Sequence, residues 1–273
     1  MIAPMKNTHL NGNNVKSLGS FSSEKFSIAL VDYNSGLRQN WHKHEDFILA
    51  MILKGFVREQ IGCQDELVKP FAVGVKSPDV NHTDYFWEKG VRVVRISLAP
   101  SFISDLKNKS LLEDGWNWLN DSRGTRSFLR IADNLFYNHS ISTEISDNVY
   151  EILGSLLPVK SPGRSTDAPL WLRRAKENLE ESFAEGIRLT ELAARAEVHP
   201  VYFARKFLQF FGCSVGRYVR QLQFQKAANL LTNPQKNLAD VAYQVGFSDQ
   251  SHLTRTFAAE FGVTPANFRK LLK

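Results

Sequence analysis

Short β-branched and aromatic runs, separated by turn residues, dominate the chain from about Phe21 to Leu98. FSIALVDY, FILAMILKGFV, FAVGVKSP and VRVVRISLAP are the clearest, and this texture predicts strands. After Pro100 the period changes. Phe128, Ile131, Ala132, Leu135 and Phe136 recur at helical spacing, as do Val149, Ile152, Leu153, Leu156 and Leu157. The first half therefore predicts a small β structure followed by two or three helices. Residues 1–20 are rich in Asn, Ser and Gly and predict a flexible arm. The segment PVKSPGRSTDAP, ending at Pro169, has the composition of a linker. These changes of texture place one domain over 21–157, a linker over 158–168 and a second domain over 169–273. In the second domain the pattern is helical throughout, beginning with a stripe of Leu172, Ala175, Leu179 and Phe183.

That second domain contains an internal repeat. Leu189, Leu192, Ala193 and Val198 correspond, 49 residues on, to Leu238, Val241, Ala242 and Phe247. Phe203, Arg205, Phe207, Phe211 and Gly212 correspond, 50 residues on, to Leu253, Arg255, Phe257, Phe261 and Gly262. Each copy, about 189–212 and 238–262, predicts a short helix, a tight turn and a second helix. His199-Pro200 ends one helix and starts the next, because proline suits a first helical position. In the second copy Gly246 breaks the chain, and Ser248 or Asp249 can cap the next helix. The small Ala193 and Ala242 allow a close crossing, which is the geometry of a helix-turn-helix.

With Phe203/Phe207 and Leu253/Phe257 turned inward, the outward faces carry Val201, Tyr202 and Arg205 in one copy and Gln250, Ser251, Thr254 and Arg255 in the other. Such side chains suit base reading. Arginine can bond guanine O6 and N7 together, glutamine can do the same for adenine, and Val or Thr can meet the thymine methyl. Between the copies, Val215 to Leu231 predicts an unbroken helix of about 25 Å. A spacer of that length could hold two recognition helices near one DNA turn, about 34 Å, apart. Arg217, Arg220, Lys226, Lys236 and Lys270 are available for phosphates. Pairing of Arg205 or Arg255 with Glu197 or Glu260 is the packing alternative.

Charge sharpens this picture. Residues 1–160 hold 18 basic and 18 acidic side chains; residues 161–273 hold 16 and 10, so the whole excess of +6 lies in the helical part. A basic module for a polyanion is thus joined to a neutral one. At 43% hydrophobic and 11% aromatic the composition argues against disorder. The longest apolar run, Phe47 to Leu53, is too short to span a membrane, and the polar start lacks a signal-peptide core. Cys63 and Cys213 form no metal-spaced or redox pair. No nucleophile–base arrangement, phosphate loop or nucleotide fingerprint appears, so a cytoplasmic non-enzyme without cofactor is expected.

The stretch AYQVGFSDQSHLTRTFAAEFGVTPANFRK, 242–270, resembles the C-terminal signature of the AraC/XylS family of bacterial transcription regulators, and the resemblance extends back to about Trp171. It implies a base-facing set of Val201, Tyr202, Ala204 and Arg205 in the first copy. In the second copy the set is Gln250, Ser251, Thr254 and Arg255. Ala204 stands where some members carry a longer polar residue, which shortens the readout there. The resemblance further implies double-stranded DNA, a small-molecule effector and RNA polymerase as partners, with activation as the usual mode.

In the first half, Gly36, His42, His44, Gly55, Pro70, Gly74, Pro78 and His82 form a layout similar to the cupin barrel, which the same regulators use as a sensor. The expected fold is α+β multidomain: an N-terminal cupin-like β-barrel with appended helices, then a C-terminal all-α double helix-turn-helix domain. His42 and His44, two apart on a predicted strand, share a face, and His82 from a neighbouring strand could join them. Cupin enzymes carry a glutamate shortly after the second histidine, where this chain has Ile48 and Leu49; Asp46 shares the histidines' parity. Trp41, His42, His44 and His82 are accordingly read as effector contacts, and no metal is assigned. A metal-dependent cupin enzyme fused to a DNA-binding domain is the alternative, and an architectural binder without effector a third. Helices over 126–157 either form a homodimer interface or simply cover the barrel.

Overall fold

The computed structural model describes residues 14–87, 89–108, 115–119, 124–137, 142–155, 168–186 and 189–272. The linker expected over 158–168 lies, except for Ala168, outside the described residues. Tertiary contacts divide the chain into two compact units, residues 1–157 with 258–273 and residues 158–257. The domain expected over 169–273 is therefore cut at 257/258. Phe261 and Phe268 pack their rings on Phe71, with centroids 4.5 and 5.3 Å apart, which groups the last residues with the first unit.

In the first unit, strands β1 (Val15–Ser22), β2 (Phe26–Tyr33), β4 (Phe47–Lys54), β7 (Val73–Lys76), β9 (Val91–Leu98) and β10 (Trp116–Leu119) form one antiparallel sheet, ordered β1-β2-β9-β4-β7-β10. Strands β3 (Arg38–His42), β5 (Val57–Ile61), β6 (Gln64–Val68) and β8 (His82–Phe86) form a second, ordered β3-β8-β5-β6. Ala29, Val31, Ile48, Ala50, Ile52 and Val93 from the first sheet meet Val57, Val68 and Phe86 from the second in one core. Helix α1 (Pro100–Asn108) comes between β9 and β10 in the chain, and α2 (Thr125–Tyr137) and α3 (Ser142–Ser155) follow β10. On α2, Phe128, Leu129, Ile131 and Ala132 are fully buried, as the helical period of that segment predicts.

Two details depart from the sequence pattern. The flexible arm expected over 1–20 does not include 15–20, which pair with β2 in β1; residues 1–13 lie outside the described residues. Seven partners on β2, with a register shift between Ser17 and Gly19, satisfy the backbone groups of this edge strand that face β2, despite a polar composition. Strand β10 has too few residues for its own periodicity to announce it, and it exists through pairing with β7.

One cross-strand row shapes the interior. Ala29, Arg95, Ala50, Gly74 and Trp118 lie side by side on β2, β9, β4, β7 and β10. An alanine on either side leaves room for the Arg95 guanidinium. Gly74 leaves room for the Trp118 ring, since a Cβ there would come within 2.8 Å of it. A polar, hollow stretch is thereby built into an otherwise apolar sheet.

The second unit begins with α4 (Leu170–Ser182) and a 3-10 turn (Phe183–Glu185). The first repeat forms α5 (Leu189–Arg195) and α6 (Pro200–Phe211). The spacer is α7 (Val215–Leu231), and the second repeat forms α8 (Leu238–Gln244) and α9 (Gln250–Phe261); α10 (Pro265–Leu271) ends the described chain. Leu172, Leu179, Leu192, Ala193, Phe203 and Phe207 share the core of the first repeat. Phe224 of α7 packs on Phe247 and Phe257 of the second at 6.1 and 5.5 Å.

The repeat extends to the backbone. Val198 N–H bonds Ala193 O and Glu197 N–H bonds Ala194 O; 49 residues on, Phe247 bonds Ala242 and Gly246 bonds Tyr243. Each is a Schellman end, in which the residue donating the inner of the two bonds must be left-handed. Gly246 adopts this at φ 82°, and a Cβ there would lie 2.8 Å from Ala184 O. In the first copy the same place holds Glu197 at φ 53°, which strains an L residue. Glu197→Gly is therefore expected to stabilise the second unit by about 1 kcal/mol, and Gly246→Ala to destabilise it by at least about 1–2 kcal/mol. Urea midpoints followed by circular dichroism would show shifts of opposite sign; shifts of one sign would exclude this account of the turn.

Candidate nucleic-acid interface and effector cavity

Each recognition helix starts on its own cap. His199 Nδ1 accepts from Val201 N–H at 3.3 Å with Pro200 next in line. Asp249 Oδ1 accepts from His252 N–H at 2.7 Å, and this bond holds its carboxyl below the usual carboxylate range. Both helices end on left-handed glycines, Gly212 at φ 72° and Gly262 at φ 74°. Ser214 and Thr264, again 50 apart, then cap α7 and α10.

On α6, Phe203 and Phe207 are fully buried while Val201, Tyr202 and Arg205 are exposed. Ala204 is half-buried, so it presents less of itself than its expected partners. On α9, Leu253 and Phe257 are fully buried; Gln250, Ser251 and Arg255 are exposed and Thr254 half-buried. Among the described residues no ion pair joins Arg205 or Arg255 to Glu197 or Glu260, so neither guanidinium is committed to the packing alternative. The 17-residue spacer has the bounds its pattern predicts.

Of the cations expected on phosphates, Lys226 Nζ lies 5.6 Å from the centre of the Phe183 ring, Lys236 Nζ donates to Gln244 Oε1 at 2.7 Å, and Arg220 too has an aromatic partner. Its guanidinium lies 5.0 Å from the centre of the Phe247 ring, so part of it serves as packing.

In the first unit a cavity of about 360 Å³ opens between the sheets, within the usual range for small-molecule sites. Trp41, half exposed, lines it together with His42, His44, Lys76, Asp84 and Arg95. The register of β3 and β8 sets His42 opposite His82, with ring centroids 4.1 Å apart; His44 lies 5.0 Å from the first and 4.9 Å from the second. The three histidines thus converge as expected, although His44 stands beyond the end of β3 rather than on it. Burial, then the Arg95 and Lys76 charges, drive the His44 pKa down to about 2, so the ring is neutral. Burial likewise lowers His42.

Lys76, Glu59, Asp84 and Arg95 are the polar groups that sequence reasoning missed. Buried Glu59 takes an ion pair from Lys76 and indole N–H bonds from Trp116 and Trp118. Burial raises the Asp84 carboxyl, but the Lys76 ammonium and the His82 imidazole outweigh it and hold the group ionised. One signal was present in the chain: Arg95 and Lys76 are charges inside otherwise apolar strands, at inward parity. Asp46, of matching parity in the sequence, is not part of the cluster.

Two tandem helix-turn-helix units with polar outward faces define a DNA-binding protein. Residues 192–271 match a helix-turn-helix domain family. The probable transcription factor PqrA of Proteus vulgaris is 36% identical over 86 residues, 32% of this chain and 70% of that protein. The transcriptional activator RhaS of Escherichia coli is 30% identical over 92 residues, 34% of this chain and 33% of RhaS. The C-terminal domain of AraT, a response regulator from Geobacillus stearothermophilus, is 27% identical at a TM-score of 0.37; the match covers 38% of this chain and 87% of that one. The chain belongs to the AraC/XylS family of transcription regulators. It spans 70% of PqrA but only about a third of RhaS. Among the described residues no helix is long and apolar enough to cross a membrane.

Proposed function

We propose that the chain is an effector-responsive, sequence-specific transcription activator of the bacterial cytoplasm that reads two successive major-groove segments. The observation that carries this is the repeat in its backbone detail: matched Schellman ends and matched caps set α6 and α9 into two like units. Val201, Tyr202, Ala204 and Arg205 read one segment, and Gln250, Ser251, Thr254 and Arg255 the other. The cavity between the sheets takes a small polar effector against Trp41, His42 and His44, whereas His82, fully buried, is not part of its lining. RNA polymerase is the partner in activation, the helices over 126–157 support a homodimer, and the chain catalyses no reaction.

Phosphate contacts give this reading its first test. Exposed Arg217, in the first turn of α7, is expected to hold a phosphate. Arg217→Ala should lower the slope of log K against log salt by about 0.9 and weaken specific and random duplexes alike. An unchanged slope would remove Arg217 from the phosphate set. Binding that shows no salt dependence at all would sink the DNA-reading function.

A further inference from the structure

Arg95 is a buried cation that the fold leaves without a counter-ion. It is 8% exposed, on a central strand of the larger sheet, and it lines the cavity. Among the described residues no side chain or carbonyl bonds its guanidinium, and its Nε is buried without a hydrogen-bond partner. A charge in such a place is costly unless something pairs it. The neighbouring groups do not. Lys76 and Glu59 neutralise each other, and the His44 ring is uncharged. Asp84 is held ionised by Lys76 and His82, and among the described residues no ion pair joins it to Arg95.

The surroundings of Arg95 suit an anion. Ala29 and Ala50 flank it on the neighbouring strands, so no bulky side chain covers the guanidinium from either side. Two residues on along β9, Ser97 shares its face, and Ser27 is the partner of Ser97 on β2. Both hydroxyls are buried without a hydrogen-bond partner, so the adjoining row adds neutral donors and no competing anion. The rest of the wall is largely apolar, with Ile52, Val57, Phe86, Val93 and Trp118. A planar guanidinium meets a carboxylate through two parallel bonds. One unpaired positive charge balances one negative charge, and ionised Asp84 in the same wall repels a second. A phosphate monoester, close to a dianion at neutral pH, and a dicarboxylate are both disfavoured on that count.

We propose that the effector is a small monocarboxylate, its carboxylate bound by Arg95 and its apolar body packed against Val93, Phe86 and Trp118. This rests on the reading of the cavity as the effector site and adds the chemical class of the ligand to it. Binding pairs a charge that the free chain leaves buried alone, so the ligand stabilises the first unit as well as filling it.

The test uses the full-length chain at neutral pH with two probe acids, 4-methylpentanoate and 3-phenylpropanoate, each beside its neutral amide. Unfolding in urea is followed by tryptophan emission, to which the first unit contributes Trp41, Trp87, Trp116 and Trp118. Without any probe, Arg95→Met, which keeps a long side chain and removes the charge, should raise the midpoint. A lowered midpoint would mean that native contacts already hold the arginine, and would overturn the proposal. Millimolar acid should raise the midpoint of the parent chain, and the matching amide should bind at least about tenfold more weakly. In Arg95→Met acid and amide should no longer differ. Equal binding of acid and amide to the parent, or no binding of either acid, would overturn the proposal, as would tighter binding of the dianion 3-methylglutarate. Effector response is read separately, as a change in DNA affinity. An acid that binds through Arg95 and leaves DNA affinity unchanged would sink the response, with the carboxylate site still standing.

Discussion

Arg255→Ala is expected to weaken binding to the chain's specific site by about 1–3 kcal/mol, roughly 5- to 150-fold, with a much smaller loss on random duplex. The guanidinium is exposed on α9, and its helix is fixed from behind by Leu253 and Phe257 and at its start by Asp249. A rigid helix matters because a bidentate contact to guanine tolerates little misplacement. Arg255→Lys separates charge from geometry. It keeps the cation but loses the planar fork, so it should retain random-duplex binding while losing most of the discrimination. Electrophoretic mobility shifts on a mapped site and on a scrambled one measure both terms. An equal loss on the two duplexes would reduce Arg255 to a phosphate contact.

Phe203→Ala is expected to cost about 3–5 kcal/mol, a large fraction of the roughly 5–15 kcal/mol that holds a typical domain folded. Phe203 is fully buried, with the Trp171 ring centred 5.6 Å away and the Phe207 ring 6.1 Å away. Ala193, in the same core, is too small to fill the space. The loss should appear as a lowered urea midpoint with an unchanged slope in the transition of the second unit, and as loss of DNA binding. Phe203→Leu, which fills most of the volume, should lose much less. A midpoint unmoved by the alanine variant would mean that the first recognition helix is not packed as described.

The second unit was largely legible in the sequence because its information is local. The boundaries of α7 come from the apolar period between Val215 and Leu231 and from Ser214 before it. The recognition helices are marked by Pro200, Gly212, Asp249 and Gly262. What the pattern did not show is that Glu197 occupies the left-handed position of Gly246, since nothing in a glutamate announces positive φ. In the first unit the strands were legible but their partners were not. β9 lies between β2 and β4, far from both in sequence, and only that register brings Arg95 between two alanines. The histidines could be named in advance because HxH fixes their parity; Asp84, Glu59 and Lys76 join them through pairings that no short stretch encodes.

The two turns also have a consequence for the DNA. A symmetric dimer of single helix-turn-helix units favours a palindrome, because its dyad presents the same helix twice. Here the two recognition helices differ in every outward residue except the arginine, and one comes after the other on a single chain. A site read this way has a head and a tail. Reversing such a site in front of a gene, with every base contact retained, would turn the bound protein end for end and present the opposite side of it to whatever lies downstream.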